Sequence, residues 1–547
     1  MDNIILTPSQ LWGGYASNTF LKQSLFNYQS FDSYNSFDCF FDGDIINGEA
    51  IRIFATTFMP AIRNNRVIVV INDYGDQLPM SIASKYLDLG FCIIQFDYTG
   101  LSPTKKRCTK YPDAVRYANL AFAGAHLTEA TPSAKDTCAY VWSTVCRSVI
   151  TYAEGLFPNG AEIFLLGIKN GCDIMWQVAG MDSRVFAAAS IINGGWKEFA
   201  SFQRYSDNTQ DFVLTDERSR WLSAVAPQSY AKFVKCPILF IAASNNEATS
   251  LDRIDSTLKI SDNKNVYFNI CSGLSGSIDS NSIQLLCNWF EFISSGKMPH
   301  SMPSLELTAI DGTAVAIAKF DSQEDVAEVD INYAFDEIYP CLRNWKVNTV
   351  SLASPRCEFP TASHSLIFAY ATVTFKNGSA LSSFPSCLDL RDKCDRSSVK
   401  RLNHIIYQRK MATTGWYVEG NNCFESAKPI MKNGELDISG ISCEKGNLIT
   451  YTISETAASC EETSLLQLDC FDIVDKSLKI WLTTFEKGVI CKYSATVELQ
   501  KNQWKKLSLQ LQDFKNKDFI PLKSWSLVKK LSFETPNGAI FNNIIWV

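Results

Sequence analysis

Histidine is the scarcest functional side chain in this sequence, with four copies in 547 residues: His126, His300, His364 and His404. None lies between His126 and His300, so any chemistry placed in that stretch must do without an imidazole. Eighteen cysteines are present, yet no C-x-x-C spacing occurs, which removes the usual zinc-knuckle and redox-pair arrangements. Most of them sit singly within apolar runs and read as free core thiols of a reducing compartment. No basic run is present and the net charge is −6, which argues against nucleic acid and anionic membrane as partners. No apolar run approaches the ~18 residues of a membrane helix, and the first thirty residues lack a charged n-region followed by an apolar stretch. A soluble, cytoplasmic protein is expected, with no metal and no cofactor; the oligomeric state stays open.

What is present is an ordinary globular composition, 46% hydrophobic and 20% charged, in a chain too long for one core. Up to about residue 300, strand-like and helix-like patterns alternate. Strands are expected at Arg66–Asn72, Phe91–Phe96, Ala161–Leu166, Val185–Ile192, Pro237–Ala242 and Asn265–Ile270. Helices are expected at Gln77–Leu89, Thr137–Leu156, Cys172–Ala179 and Ile283–Ser294. Such alternation predicts an α/β fold, a doubly wound and mostly parallel sheet with helices on both faces. The helical periodicity stops at Gly296-Lys297-Met298-Pro299, after which short alternating strands follow to the C-terminus. Three units are expected: an α/β unit over 1–303 and two all-β sandwiches over 304–395 and 396–547. The charged stretch from Arg391 to Arg401 reads as the linker between the last two.

The most informative motif is Gly167-Ile168-Lys169-Asn170-Gly171. It follows a strand, precedes a helix and has the frame of a G-x-S-x-G nucleophile elbow, with a lysine at the central position. Together with Val67–Gly75, Phe96–Ser102 and Asp182–Val185, it makes residues 1 to about 300 resemble the α/β-hydrolase fold, in its acetyl xylan esterase and dienelactone hydrolase-like branches. By that resemblance Lys169 stands at the nucleophile position. The acid would follow the strand Pro237–Ala242, at Asn246, and the histidine would follow the strand Asn265–Ile270, at Gly276. A protonated ammonium, an amide and a glycine cannot pass a proton as a triad does. The resemblance therefore implies a hydrolase scaffold without its catalytic triad, a pseudoenzyme that binds a ligand or carbohydrate. An esterase using non-standard residues and a structural assembly protein are the alternatives.

Four other side chains could carry chemistry beside the triad positions or within them. Cys172 begins the helix after the elbow, where a thiol pKa is lowered, but a buried packing thiol is the plainer reading. Glu247 could be a displaced acid or a solvated side chain, and His126 lies in the Ala121–Pro132 insertion where a lid is expected. Lys169 could act as a Schiff-base lysine if desolvated, or neutralise a nearby carboxylate. The resemblance places the oxyanion donors at the Asn170 amide and near Asp73 or Tyr74, so that with Lys169 the pocket would be cationic and suit a small anionic ligand. Downstream, residues 306–390 resemble an immunoglobulin- or fibronectin-like sandwich and residues 404–547 a galactose-binding-like jelly roll. Trp416, Tyr417, Trp481 and Tyr493 are the candidate glycan-stacking aromatics of the last unit, Trp416, Trp481 and Tyr493 foremost.

Overall fold

The computed structural model describes residues 4–17, 22–101, 107–197, 204–205, 214–261, 263, 265–297, 300–321, 323–359, 361, 364–391, 393, 404–409, 411–486, 489–534 and 538–547. Most of the expected linker between 391 and 401, including the expected boundary at 395, lies outside them.

Nine strands build one sheet. They are β1 (Gln23–Ser30), β2 (Tyr34–Ile46), β3 (Glu49–Pro60), β4 (Arg66–Ile71), β5 (Cys92–Asp97), β6 (Glu162–Ile168), β7 (Val185–Ile191), β8 (Ile238–Ala243) and β9 (Val266–Cys271). Their order is β1-β2-β3-β5-β4-β6-β7-β8-β9. The pairs among β1, β2, β3 and β5 are antiparallel, and every pair from β5 through β4 to β9 is parallel. Without β1 this is the strand order of the α/β-hydrolase sheet, with β1 added at its antiparallel edge.

The reason lies in the side chains of β4. Its Val67, Val69 and Ile71 pack into the core on one face of the sheet and Ile68 and Val70 into the core on the other. A continuous β-branched run is what a strand covered on both faces requires. Helix Cys138–Leu156 covers the first face and helix Ser280–Ser294 contributes to the second. The helix expected from Gln77 begins only at Met80, because Pro79 holds an extended ψ of 141° ahead of it.

Four antiparallel sheets follow, two from residues 304–389 and two from residues 405–546. Strands Ser304–Ile310, Thr313–Lys319 and Arg356–Phe359 form a three-stranded sheet. A five-stranded sheet centred on Val326–Phe335 and Leu366–Phe375 packs against it through Ile331 and Ile367. Residues 405–546 form a six-stranded and a five-stranded sheet around one shared core. Strand Lys476–Glu486 shows the pattern, with Leu478, Ile480 and Leu482 buried on alternate positions. These are β-sandwich folds.

Candidate functional site

The elbow is built as the motif demands. Lys169 adopts φ +48°, a left-handed conformation that a non-glycine residue holds only under surrounding constraint. The flanking glycines are required by space: a Cβ on Gly171 would lie 2.0 Å from the Ile71 carbonyl oxygen, and one on Gly167 would lie 2.8 Å from Met175 Cβ. The turn therefore lifts Lys169 out of β6 at the C-terminal edge of the sheet, beside the loop that follows β4.

One oxyanion-type donor, the Asn170 amide, is engaged by the protein itself. Asn170 donates to Asp73 Oδ1 from its backbone amide at 3.4 Å and from Nδ2 at 2.7 Å. Asp73 Oδ2 lies 4.0 Å from Lys169 Nζ. The cation and the elbow amide of the expected anion pocket thus face an internal carboxylate, Asp73. Tyr74 turns its ring onto Tyr98 and Trp142, with centroids 6.3 and 5.7 Å away. Burial raises its phenol pKa.

The two remaining triad positions are also committed to structure. Asn246 donates from Nδ2 to the Ser275 carbonyl at 2.6 Å, while its Oδ1 accepts the Ala248 and Thr249 amides at 2.8 Å each. Its carboxamide holds two loops together and points no acceptor at a base. Gly276 donates its amide to Glu419 Oε1 at 2.7 Å. Glu419 Oε2 accepts the Ser275 amide at 2.8 Å and the Ser275 hydroxyl at 3.0 Å. A side chain at Gly276 would begin 3.9 Å from Lys169 Nζ, so the ammonium lies beside the place expected for the imidazole.

Glu419 ends strand Trp416–Glu419 of the last sandwich, and its neighbours close over the same loop. The Tyr417 ring lies so close to Gly273 (φ +72°) that a Cβ there would fall 2.3 Å from it. The Tyr417 hydroxyl donates to the Trp345 carbonyl at 2.7 Å, Gly420 N–H donates to Ser277 Oγ at 3.1 Å, and Ile278 N–H donates to the Cys423 carbonyl at 2.9 Å. Lys530 of the same sandwich has its pKa lowered by burial, an effect that the attraction of Glu419 opposes. The middle sandwich reaches in as well. Asn245 Nδ2 donates to the Cys341 and Arg343 carbonyls, and Arg343 makes two 2.6 Å bonds to Asp252, a pair that is 0% and 2% exposed.

The other sequence candidates fall away from this place or into the core. Cys172 is buried, its Sγ bonded to the Ile191 carbonyl at 3.3 Å, and burial pushes its thiol up to about 12. Glu247 is exposed and lies 3.8 Å from Lys492. His126 stacks on Tyr117 at 4.3 Å and bonds the Asp136 carbonyl at 2.6 Å, which makes it a packing residue of the insertion. Trp416 and Tyr493 are 5% and 3% exposed, so neither offers a ring for stacking a sugar. Trp481 is half-buried, donates to Glu534 at 2.6 Å and carries Lys479 Nζ 4.1 Å over its ring. Among the described residues no group of three or more His, Cys, Asp or Glu is placed to hold a metal, and no helix is long and apolar enough to cross a membrane.

Sequence reasoning missed Glu419 and the Arg343–Asp252 pair. No local signal could have found them, since each acts on a partner 91 to 144 residues away in the chain.

No family model matches this chain, and no curated protein matches it. Solved structures similar to it include acetyl xylan esterase 1 from Thermoanaerobacterium sp. JW/SL YS485, at 12% identity over 51% of this chain and 86% of that one, with a TM-score of 0.34. Est1E from Butyrivibrio proteoclasticus is similar at 13% identity over 46% and 96%, with a TM-score of 0.31. A 2,6-dihydroxy-pseudo-oxynicotine hydrolase is similar at 15% identity over 47% and 68%, with a TM-score of 0.32. Fold assignment here rests on the strand order and the elbow, which need no alignment.

Proposed function

We propose that this chain is a non-catalytic α/β-hydrolase-fold protein, a pseudoenzyme whose triad positions are Lys169, Asn246 and Gly276. Its former catalytic face serves as the joint that seats its own C-terminal sandwich. The observation that carries this reading is the Glu419 carboxylate. It accepts three hydrogen bonds from Ser275 and Gly276, on the loop where a triad histidine would stand. A hydrolase must leave that loop free to meet substrate. Here a side chain from 143 residues downstream fills it, and Asp73 takes the elbow amide in the same way.

In this reading the chain comprises an α/β unit over 1–303, an immunoglobulin-like sandwich over 304–395 and a galactose-binding-like sandwich over 396–547. It works in binding or assembly, within a reducing cytoplasm that keeps its thiols free. The geometry favours this over the esterase alternative: among the described residues no histidine lies beside the elbow, and burial raises the Cys172 and Cys423 thiols above their ordinary range.

The test is steady-state hydrolysis of short acyl esters and acetylated sugars by the full chain. The expected rate equals that of buffer, both for the natural chain and for Lys169→Ser. Turnover at ordinary enzyme rates, on the order of 1 s⁻¹ or faster, would overturn the proposal.

A further inference from the structure

In an open α/β sheet a ligand is expected outside the carboxyl ends of the strands where the strand order reverses. That switch point lies between β4 and β6, where Asp73 and Asn170 bond to each other. One strand over, a separate cleft is open at the carboxyl ends of β4 and β5. Its interior holds about 70 Å³ and opens broadly to solvent, and β3 forms one wall.

The floor of this cleft carries Asn72 and Gln95, 5% and 8% exposed. Leu78 N–H donates to Gln95 Oε1 at 2.8 Å, which fixes that oxygen as the acceptor. Asn72 must then turn its Nδ2 to the same oxygen, 3.1 Å away. Two polar atoms are left over: Gln95 Nε2, a donor, and Asn72 Oδ1, an acceptor. Among the described residues neither has a hydrogen-bond partner, although both side chains are more than nine-tenths buried. Both atoms reach the open cleft, where a ligand that carries an acceptor and a donor side by side would meet the two together.

The walls narrow its chemistry. Phe54 and Phe58 present rings from β3, and Asp73, Asp76 and Asp97 supply the carboxylates. Among the described lining residues there is no lysine, arginine or histidine, and the Asp76 and Asp97 carboxylates disfavour an anion. We propose that this cleft binds a neutral polyhydroxylated molecule of monosaccharide size. Two adjacent hydroxyls would meet Gln95 Nε2 and Asn72 Oδ1, and the apolar face of the ring would lie against Phe54 or Phe58. The site lies one strand from the elbow, with Asp73 between the two, and is apart from the aromatics of the C-terminal sandwich.

Saturation-transfer NMR and calorimetric titration of the full chain would test this, with glucose, galactose, mannose, xylose and myo-inositol as probes and gluconate as the anionic counterpart. At least one neutral probe is expected to bind saturably at roughly micromolar to millimolar Kd, as a shallow polar site allows. Gluconate is expected to bind about 10-fold more weakly than glucose. Phe54→Ala should weaken binding about 10-fold or more, and Gln95→Glu, which keeps the acceptor but removes the donor, should do the same. Asp76→Lys, on the exposed rim, should leave the fold intact and narrow the gap between glucose and gluconate. No saturable binding by any neutral probe would overturn the proposal. So would binding unchanged in Phe54→Ala, or binding lost in Trp481→Ala but kept in Phe54→Ala. Ester hydrolysis is read separately, so failure here leaves the non-catalytic reading standing and the reverse also holds.

Discussion

Replacing Glu419 by alanine removes one carboxylate and breaks the joint at its most polar point. Three hydrogen bonds go with it, from Ser275 N–H, Ser275 Oγ–H and Gly276 N–H. Bonds to a charged acceptor contribute about 1.5–3 kcal/mol each where water is excluded. Glu419 is only half-buried, so water can replace part of this. The two backbone donors then leave a net cost of about 2–4 kcal/mol, and Lys169 loses a neighbouring counter-charge besides. At 1.4 kcal/mol per factor of ten, this makes local opening of the 271–279 loop roughly 30-fold to several-hundred-fold more frequent. Native-state hydrogen exchange reads that directly at the amides of Ser275, Gly276 and Ile278. Glu419→Gln should fall between, because its amide nitrogen cannot accept from a backbone N–H. Exchange at these three amides unchanged in Glu419→Ala would refute the claim that this carboxylate seats the sandwich.

Three further outcomes follow from the same contacts. Arg343→Met leaves Asp252 buried and unpaired and should cost about 3–5 kcal/mol in denaturant unfolding, whereas the double variant Arg343→Met/Asp252→Leu should recover most of it. Asp182 is 3% exposed; burial alone would raise its pKa, but Arg184 and Arg147 outweigh burial and hold it below the usual range. Its contribution is therefore present above about pH 4 and is lost as the pH falls further, so Asp182→Asn should flatten the acid limb of stability measured between about pH 4 and pH 2. Gly171→Ala drives a Cβ to 2.0 Å from a backbone oxygen and should cost more than about 3 kcal/mol or abolish soluble expression, as circular dichroism and solubility would report.

The fold was legible because its signals are local. A β-branched run such as Arg66–Ile71 can only be a doubly covered strand, and the glycine spacing of 167 to 171 can only serve a tight turn before a helix. The lysine at the centre of that turn and the scarcity of histidine were equally plain in the sequence. The joint was not legible, because hydrogen bonds between Glu419 and Gly276 or between Arg343 and Asp252 depend on how separate sheets dock, and no periodicity encodes that. Nor could periodicity tell which aromatics of the last sandwich face inward. Trp416 and Tyr493 look like stacking platforms in sequence, yet alternation along their strands turns both into the core. Nor did the sequence reveal that the loop after β4 brings the Asp73 carboxylate to the elbow, beside Asn170 and Lys169.

The most direct measurement of the central claim is intact-mass analysis of the full chain after exposure to a fluorophosphonate probe. Such a probe forms a covalent adduct only with an activated nucleophile. A protein whose elbow carries Lys169 between Asp73 and Glu419 is predicted to show no adduct. A single stoichiometric adduct, mapped to any residue of the α/β unit, would contradict the account.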